Sequence, residues 1–248
     1  MVLSDVEKIN FGFKEINPDE KQNLVAQVFS SVAHKYDLMN DLMSLGIHRF
    51  WKAKLIEQLE PNRSLIDMAS GTGDIAKRYY LKSSNPDITL CDINPDMLQV
   101  GKDKLIDENI FQGLKFICCN AEELTFNDMS FDYYTIAFGT RNVTSIDKAL
   151  KEAWRVLKPG GKFVCLEFAK ISNSNLANFY DFYSFNIIPK LGKLIAGDED
   201  SYRYLVESIR KFPPQLEFIQ MMENSGLKLS KFQNLTYGVV ALYTGYKI

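Results

Sequence analysis

The segment LIDMASGTGDIAKR, residues 65–78, joins an apolar run to two closely spaced glycines and then to helix-forming residues. Gly71 and Gly73 allow the backbone to turn tightly and to approach a bound group without a Cβ in the way. With Ala76 further along, the loop also fits the loose dinucleotide pattern G-x-G-x-x-G/A. The segment therefore predicts a site for a nucleotide-like cofactor, but the glycines alone do not determine which one.

Two carboxylates flank this loop and favour a positively charged ligand. Asp67 precedes the glycines, and Asp74 follows them at the start of the next helix. A dinucleotide would place its pyrophosphate at that helix N-terminus, where a carboxylate would repel it. S-adenosylmethionine carries an ammonium and a sulfonium and no phosphate, so these carboxylates favour it over NAD. A helix N-cap is the alternative role for Asp74.

Polar groups at two later strand ends suit an adenosine. Asp92 follows the loop by about twenty residues, where a carboxylate accepts hydrogen bonds from both ribose hydroxyls; a turn-capping aspartate is the alternative. Asn120 and Ala121 come after the next apolar run, and a side-chain amide beside a backbone group matches the edge of adenine. The turn Pro159–Gly161 is habitual in S-adenosylmethionine methyltransferases and points the same way.

Short apolar runs alternate with helical patterns from residue 63 onwards, which is typical of a parallel sheet covered by helices on both faces. The candidate ligand-binding residues lie at the carboxyl ends of these strands, where such sheets bind their ligands. Residues 18 to about 58 predict helices, and residues 227–248 predict an antiparallel hairpin. The predicted strands are Ser64–Met68, Ile88–Cys91, Leu114–Cys119, Tyr133–Phe138 and Lys162–Phe168.

Composition excludes several classes of protein. The 248 residues include 29 basic and 31 acidic side chains, and this balance argues against a general nucleic-acid binder. No apolar run is long enough to predict a membrane span, and the acidic N-terminal segment resembles no targeting signal. The four cysteines lack zinc spacing, so we expect no metal site and reduced thiols in the cytoplasm.

Four stretches resemble the ubiquinone/menaquinone biosynthesis C-methyltransferase family. They are VAHKYDLMNDLMSLGIHRFWK (32–52), FGTRNVTSIDKALKEAWRVLKPGG (138–161), DSYRYLVESIR (200–210) and YGVVALYTGYKI (237–248). The resemblance covers nearly the whole chain, from about Phe11 to Ile248, and the first two stretches are the most specific. It implies an α/β, Rossmann-like methyltransferase fold whose seven-stranded sheet is mostly parallel, with a C-terminal antiparallel hairpin and an N-terminal helical cap.

The activity that the resemblance implies is transfer of a methyl group from S-adenosylmethionine to a ring carbon of a polyprenylated quinol. Both 2-polyprenyl-6-methoxy-1,4-benzoquinol and demethylmenaquinol are consistent with it. Matching positions place cofactor contacts at Thr72, Asp92, Asn120 and Ala121, and a weak one at Ala137, where the family often has a serine. With the residues argued above, the predicted cofactor-binding set is Asp67, Gly71, Thr72, Gly73, Asp74, Asp92, Asn120, Ala121 and Ala137.

Methylation at carbon requires an electron-rich ring. A quinol hydroxyl resembles tyrosine, with a pKa of about 10, and its phenolate places negative charge on the ortho carbon. We expect Arg141 to stabilise that charge and Asn142 to orient the hydroxyl; a surface ion pair is the alternative for Arg141. Asp37 and His48 are the candidates for proton acceptor, and a structural role at a helix end is equally open for His48.

The quinol itself is expected to bind between the N-terminal helices and a later insertion. Within a single domain, 1–248, residues 1–60 form the predicted helical lid and about 172–212 the predicted substrate-side insertion. The aromatic stretch 178–197 would line the tail's route or rest on a membrane surface, and an ordinary packed helix is the alternative. The predicted quinol contacts are Tyr36, Asn40, Tyr202 and Arg203.

Two other functional classes stay open on the sequence: an NAD-dependent oxidoreductase, and a non-catalytic subunit of a quinone-biosynthesis complex. We expect a polyprenylated quinol as substrate and no nucleic-acid partner. A homodimer and a complex with other biosynthetic enzymes are both open. The predicted location is the cytoplasm, with peripheral contact at the inner membrane as a further alternative.

Overall fold

The structure is a computed structural model that describes residues 8–171, 183–190, 193 and 199–248, without the side chains at 34, 37, 42, 43, 183 and 187. Its strands are β1 (Ile9–Phe11), β2 (Lys14–Ile16), β3 (Ser64–Met68), β4 (Asp87–Asp92), β5 (Leu114–Cys118), β6 (Phe131–Ala137), β7 (Leu157–Phe168), β8 (Lys228–Leu235) and β9 (Val240–Tyr246). Its helices are α1 (Pro18–Val32), α2 (Tyr36–Ser44), α3 (His48–Ile56), α4 (Asp74–Lys82), α5 (Pro95–Asp107), α6 (Ile146–Val156), α7 (Glu199–Lys211) and α8 (Gln215–Asn224).

Seven of these strands form one sheet in the order β5-β4-β3-β6-β7-β9-β8. The first five run parallel, and β9 lies antiparallel between β7 and β8. From β3 the chain adds strands β4 and β5 on one side, and β6 and β7 lie on the other side. The boundary between β3 and β6 is therefore the topological switch point, where α/β sheets bind ligands. The predicted fold, a mostly parallel seven-stranded sheet closed by an antiparallel C-terminal hairpin, is confirmed.

The central strands are apolar because both of their faces are covered. Neighbouring residues Leu65 and Ile66 on β3 are fully buried but belong to two separate hydrophobic clusters, one on each side of the sheet. This explains why the parallel strands read as continuous apolar runs rather than as alternating patterns. Asp67 and Asp92 lie at or near the carboxyl ends of the neighbouring parallel strands β3 and β4, so the same edge of the sheet carries both carboxylates.

The bounds of β4, β5 and β6 differ from the prediction by one or two residues, and two other differences are larger. Strand β7 begins at Leu157 and not at Lys162, because the Pro159–Gly161 segment continues the strand, and Gly160 donates a 2.7 Å hydrogen bond to the Lys247 carbonyl. The small hairpin formed by β1 and β2 was not predicted. Three-residue strands contain too few positions to show a periodic pattern.

The N-terminal helical region consists of three helices and not of one continuous one. Leu45 adopts φ 52° and Gly46 φ 78°, and these left-handed residues end α2 and redirect the chain into α3. Of the predicted insertion at 172–212, α7 is the long helix that the structure describes. The aromatic stretch 178–197 lies mostly outside the described residues. In the described ranges, none of the helices has both the length and the apolar character needed to cross a membrane.

Candidate active site

A crevice with an empty volume of about 740 Å³ lies at the carboxyl ends of β3, β4 and β6. We call it the main crevice and define it by Gly71, Asp92, Asn120, Ala121, Phe138 and Asn142. Tyr36, Ala69 and Phe138 separate it from a smaller space of about 330 Å³, the loop pocket, on the other side of the glycine turn. The loop pocket is defined by Lys52, Asp67, Ser70, Thr72, Asp74 and Ala137.

The two glycines of the loop have different roles. Gly71 (φ 54°) lines the main crevice, with the Tyr36 ring close to the position that a Cβ would take. Gly73 (φ 78°) faces the core, where a Cβ would meet Leu105 Cδ1 at 2.9 Å. Gly101 of α5, which the sequence analysis did not identify, lets that helix approach the loop, since its Cβ would lie 2.8 Å from the Gly71 carbonyl oxygen.

Asp92 ties the loop to the end of β4. One carboxylate oxygen accepts the Gly71 N–H at 2.8 Å and the other accepts the Asn94 N–H at 2.9 Å. The turn-capping role is therefore present, but a carboxylate offers about four acceptor positions, and two remain for a ligand in the crevice. Burial raises the pKa of Asp92 above its usual value, against the lowering effect of these N–H groups.

Asp67 is fully buried and only half satisfied. Thr135 Oγ1 donates to its Oδ1 at 2.8 Å, whereas Oδ2 has no hydrogen-bond partner among the described residues. The nearby Ser70 hydroxyl is likewise buried and unpartnered within that part of the chain. Burial raises the pKa of Asp67 to about 7, although hydrogen bonding by Thr135 and the Ala76 N–H and the positive charge of Lys52 oppose the rise. Orphaned acceptors in the loop pocket match an ammonium donor.

Asp74 does not offer an uncompensated negative charge, and this corrects the sequence argument that rested on it. Lys52 Nζ lies 2.8 Å from one carboxylate oxygen and Arg78 Nε 2.9 Å from the other. Burial alone would raise the pKa of Asp74, but the two cations outweigh burial and lower it to about 2. The N-cap of α4 is Gly73, so Asp74 is the first residue of the helix and not its cap. Of the two carboxylates that flank the loop, Asp67 is therefore the one left to favour a positively charged ligand over a diphosphate.

The other end of the main crevice suits a flat heterocycle. Asn120 Oδ1 accepts the Glu122 N–H at 3.0 Å, which leaves the amide NH₂ as a donor toward the crevice. Ala121 and Cys119 lie beside it, and Ile93 and Met97 provide an apolar wall. Thr72 and Ala137 line the loop pocket and not this space.

Helix α1, which belongs to the segment 1–60 predicted as a lid, lies over the main crevice. Val25, Ala26 and Phe29 face the crevice. Asn94 Nδ2 donates to the Ala26 carbonyl at 2.9 Å, and on the opposite side Lys21 Nζ donates to the Val143 carbonyl at 2.8 Å. The apolar spacing in α1 was visible in the sequence, but it predicted only a buried face.

Arg141 forms a buried ion pair and not a surface one. Its Nη1 lies 2.8 Å from Glu167 Oε1 and also donates to the Phe138 carbonyl, while Nε donates to Ser208 Oγ at 3.2 Å. Asn142 lines the main crevice, and its Oδ1 accepts the Tyr204 hydroxyl proton at 3.1 Å. The two adjacent residues therefore point to different spaces.

The remaining predicted residues divide between lining positions and structural ones. Tyr36 lines both the main crevice and the loop pocket. His48 is buried, lies 2.9 Å from Asp41 through Nε2, and lines neither space. Burial lowers the pKa of His48, with the Asp41 hydrogen bond opposing it, and keeps the ring neutral. The structural role considered for this histidine accounts for these contacts.

Three other candidates do not reach the crevice, and one cannot be placed. Asn40 Nδ2 is buried without a partner in the described part of the chain, away from both linings. Tyr202 is fully buried in the hydrophobic core. Arg203 is exposed and pairs with Glu199 at 2.8 Å. The side chain of Asp37 lies outside the described residues.

Known proteins of one family are similar to this chain over nearly its whole length. The model of the ubiE/COQ5 methyltransferase family matches residues 17–247. A ubiquinone/menaquinone biosynthesis C-methyltransferase UbiE from Rickettsia bellii is 57% identical over 244 residues, covering 96% of this chain and 98% of that protein. The protein of the same name from Rickettsia prowazekii is 55% identical over 244 residues, with the same two coverages of 96% and 98%.

Solved structures with low sequence identity share the fold. A S-adenosylmethionine-dependent methyltransferase from Thermotoga maritima has a TM-score of 0.64 at 18% identity, covering 90% of this chain and 99% of that one. The phosphoethanolamine N-methyltransferase 2 of Haemonchus contortus, crystallised with S-adenosylhomocysteine, has a TM-score of 0.57 at 15% identity, covering 79% and 52%. At such identities the likeness establishes the architecture alone.

Proposed function

This chain belongs to the ubiE/COQ5 methyltransferase family, and from that premise we propose which of its residues bind the methyl donor and the quinol. The protein is a S-adenosylmethionine-dependent C-methyltransferase of ubiquinone/menaquinone biosynthesis. The alternatives of an NAD-dependent oxidoreductase and a non-catalytic subunit have no support in these relationships. When bound, S-adenosylmethionine supplies an electrophilic methyl group on a positively charged sulfur.

The observation that carries the donor assignment is the pair of orphaned acceptors beside the glycine loop. Asp67 Oδ2 and Ser70 Oγ are buried without partners in the described ranges, so an ammonium would satisfy both. Asp92 keeps acceptor capacity for two ribose hydroxyls, and the Asn120 amide is a donor for the adenine edge beside Ala121. These assignments place the amino-acid end in the loop pocket and the nucleoside in the main crevice.

We assign to the loop glycines a purely steric role toward the donor. Gly71 lines the crevice and lets the backbone approach the ligand, whereas Gly73 keeps α4 and α5 close behind the loop. Thr72 and Ala137 line the loop pocket as minor contacts. Asp74 acts indirectly, because its ion pair holds Lys52 of α3 against the start of α4.

The quinol ring must lie next to the sulfonium end of the donor, near Phe138 and Asn142. The Asn142 amide NH₂ orients the ring hydroxyl, since its oxygen is already engaged by Tyr204. Glu167 compensates the charge of Arg141, so we expect Arg141 to act through the guanidinium N–H groups that line a second cavity behind the loop after β6. Holding the two reactants in line supplies roughly 7–11 kcal/mol in well-oriented systems. With the donor bound, the ring would lose its hydroxyl proton to solvent, its carbon would bond to the methyl group as the carbon–sulfur bond broke, and the ring-carbon hydrogen would then leave to solvent as a proton.

The decisive experiment combines purified protein, methyl-labelled donor and two reduced short-tail substrates, a 6-methoxy-1,4-benzoquinol and a demethylmenaquinol. Methylation of either ring supports the function, and the ratio of kcat/KM values identifies the preferred quinol. Calorimetry with S-adenosylmethionine and NAD is the control for the donor. If Arg141→Ala left turnover unchanged, the assignment of that residue would have to be withdrawn.

The polyprenyl tail of the substrate also motivates a proposal on location. We propose that a protein handling such a tail makes peripheral contact with the inner membrane through the aromatic stretch 178–197. Flotation with anionic liposomes tests the idea, and protein that stays entirely in the unbound fraction would rule it out. A homodimer or a biosynthetic complex would be detected by light scattering of the purified protein alone and with cell extract.

A further inference from the structure

A second space, the side cavity, lies on the other side of the loop that follows β6. Its empty volume is about 700 Å³, and its walls come from the N-terminal segment, α1, α7 and that loop. Val143 and Thr144 line both the side cavity and the main crevice, so the two spaces meet at these residues. The side cavity is defined by Lys21, Arg141, Val143, Thr144, Tyr204 and Phe212.

Lys21 is the most unusual residue of this cavity. It is only 7% exposed, and its ammonium donates one hydrogen bond, to the Val143 carbonyl at 2.8 Å. Within the described ranges no carboxylate forms an ion pair with it. An ammonium has three donors, so two point away from any protein partner. Burial lowers the pKa of Lys21, with Glu122 opposing the effect. Such a charge is costly to bury unless something pairs with it.

Arg141 presents further donors to the same space. Its Nη1 and Nε donate hydrogen bonds to protein groups, whereas Nη2 makes no hydrogen bond within the part of the chain that the structure describes. Glu167 neutralises the guanidinium from behind. Lys8 and Lys211 also line the cavity, so most of the charged side chains around the buried Lys21 are basic.

Apolar and aromatic groups complete the wall. Ile9, Ile146 and Phe212 lie beside the cations, and the Tyr204 ring stacks on Phe11 with centroids 4.2 Å apart. A small inorganic anion would leave this apolar surface without contacts. An aromatic ring that carries a negative oxygen would satisfy both the cations and the apolar wall.

We propose that the side cavity is the oxygen-binding half of the quinol site, with Lys21 donating to the ring oxygen as that oxygen becomes anionic. The ring would span the junction at Val143 and Thr144, with its oxygen toward Lys21 and its reacting carbon toward the main crevice. This inference rests on the proposed function and deepens it, because it makes Lys21 a substrate-binding residue. The proton leaves the ring hydroxyl for solvent, and Lys21 stays an ammonium throughout.

The test distinguishes two roles of Lys21: its positive charge toward the ring oxygen, and its hydrogen bond to the Val143 carbonyl, which attaches α1 to the loop after β6. Lys21→Arg keeps the charge, Lys21→Gln keeps a donor for the Val143 carbonyl without the charge, and Lys21→Met removes both. A methoxy-substituted nitrophenol serves as the probe, because its absorbance reports the phenolate form. It is titrated into each full-length variant in the presence of S-adenosylhomocysteine, and kinetics with a short-tail quinol follow.

Wild type and Lys21→Arg are expected to bind the phenolate form and to lower the phenol's apparent pKa. Lys21→Gln and Lys21→Met should bind it about 10- to 100-fold more weakly, the size of a lost hydrogen bond to a charged group. The kinetics should show a similar loss in kcat/KM for the quinol, with the affinity for S-adenosylmethionine almost unchanged in Lys21→Gln.

Two outcomes would overturn the proposal. If Lys21→Gln bound the phenolate as wild type does, Lys21 would be only a tether of α1. If wild type methylated quinols but did not shift the phenol's ionisation, the side cavity would not hold the ring oxygen. Failure of the parent function gives a different result, since wild type would then methylate no quinol at all. Circular dichroism of each variant establishes that it is folded.

Discussion

Three aspartates around the glycine loop show how surroundings give one residue type different properties. Asp67 is buried beside a hydroxyl and keeps an unpartnered oxygen, Asp74 is held by two cations, and Asp92 accepts backbone N–H groups. The pKa of Asp67 is raised to about 7, whereas that of Asp74 is lowered to about 2. Of these, Asp67 is the residue whose charge changes near neutral pH.

The raised pKa of Asp67 predicts pH-dependent donor binding. The unliganded folded protein holds this proton up to about pH 7, whereas the unfolded chain releases it near pH 3.8, so the contribution to stability is full at low pH and lost as pH rises through 7. An ammonium ligand requires the ionised form. As pH rises toward 7, the Kd of S-adenosylmethionine should therefore decrease by up to about tenfold per pH unit, and above pH 7 it should level off.

Calorimetry between pH 5.5 and 7.5, in buffers of different ionisation enthalpy, measures this Kd and the proton released on binding. The upper limit avoids the ligand's own amine, which titrates at about 7.7–8.0. Asp67→Asn is the control and should abolish the slope. A wild-type Kd that is flat across this range would refute the predicted role.

The Arg141–Glu167 pair predicts strong non-additivity in stability. Glu167→Ala leaves a buried guanidinium uncompensated and should lower the free energy of unfolding by about 3–5 kcal/mol. The double variant Arg141→Met/Glu167→Leu should be less destabilised than Glu167→Ala, because neither buried charge remains. Urea unfolding of Arg141→Met, Glu167→Leu and the double variant gives the coupling energy between the two side chains. If the two single losses of unfolding free energy simply added, a direct buried pair would be contradicted.

At the scale of elements, α1, α4 and α5 meet at the glycine loop, each by a different contact. Helix α4 begins directly after Gly73, and α5 approaches through the side-chain-free surface of Gly101. Helix α1 lies over the crevice and is attached to α5 by the Ser30 hydroxyl, which donates to Asp96 at 2.7 Å. The shape of the donor site thus depends on helix packing as much as on the loop.

Gly73 and Gly160 form a matched pair for testing this packing. Both have a left-handed backbone, with φ 78° and 79°, but only Gly73 has close neighbours where a Cβ would lie. Gly160→Ala should cost roughly 1 kcal/mol for the backbone alone. Gly73→Ala should cost about 1–3 kcal/mol more from overpacking against Leu105 and Leu90. Thermal unfolding measures the loss of stability in each variant. Equal losses would show that contact of the new Cβ with Leu105 and Leu90 does not destabilise the protein.

The attachment of α1 predicts an effect on affinity without an effect on global stability. Ser30→Ala removes the bonds to Asp96 and Asn94, and it should raise the Kd of S-adenosylmethionine about 2- to 10-fold. Ser130→Ala removes one bond to the Asn127 carbonyl, remote from the crevice, and is the control. Stopped-flow measurements should assign the change to faster release, and identical release rates in the two variants would argue against a covering role.

At the scale of the whole molecule, the sheet joins two hydrophobic clusters into one cooperative unit. Consecutive residues of β3, Leu65 and Ile66, pack into clusters on opposite faces of the sheet. Loss of packing in either cluster should therefore disrupt the shared strand. The antiparallel strand β9 extends this unit, since Tyr243 and Val240 are fully buried between β7 and β8.

Leu65→Ala and Ile66→Ala test that cooperativity from the two faces. Each removes a fully buried side chain and should lower the free energy of unfolding by about 2–5 kcal/mol. Both should shift a single transition that has the same midpoint by fluorescence and by circular dichroism. Two separate transitions in either variant would mean that the faces unfold independently.

Local patterns along the chain were enough to predict the succession of strands and helices from residue 63 onwards, the glycine loop and the carboxylates at the strand ends. These features depend on local periodicity and turn chemistry, which neighbouring residues carry. The resemblance to a family added the activity and the expectation of seven strands. Asp92, Asn120, Ala121 and Asn142 therefore appeared in the candidate site before any contact was known.

Only the tertiary structure decided which charges are free. Asp74 is compensated by Lys52 from another helix, Arg141 by Glu167 from the next strand, and Lys21 by no carboxylate in the described ranges. Lys52 and Glu167 lie tens of residues away in the chain from the groups that they compensate, although Arg78, the second cation at Asp74, lies one helical turn away. Burial also changes the electrostatic energy of a charge. A one-dimensional pattern contains neither distance nor burial, so the cover formed by α1 and the side cavity had to come from the fold.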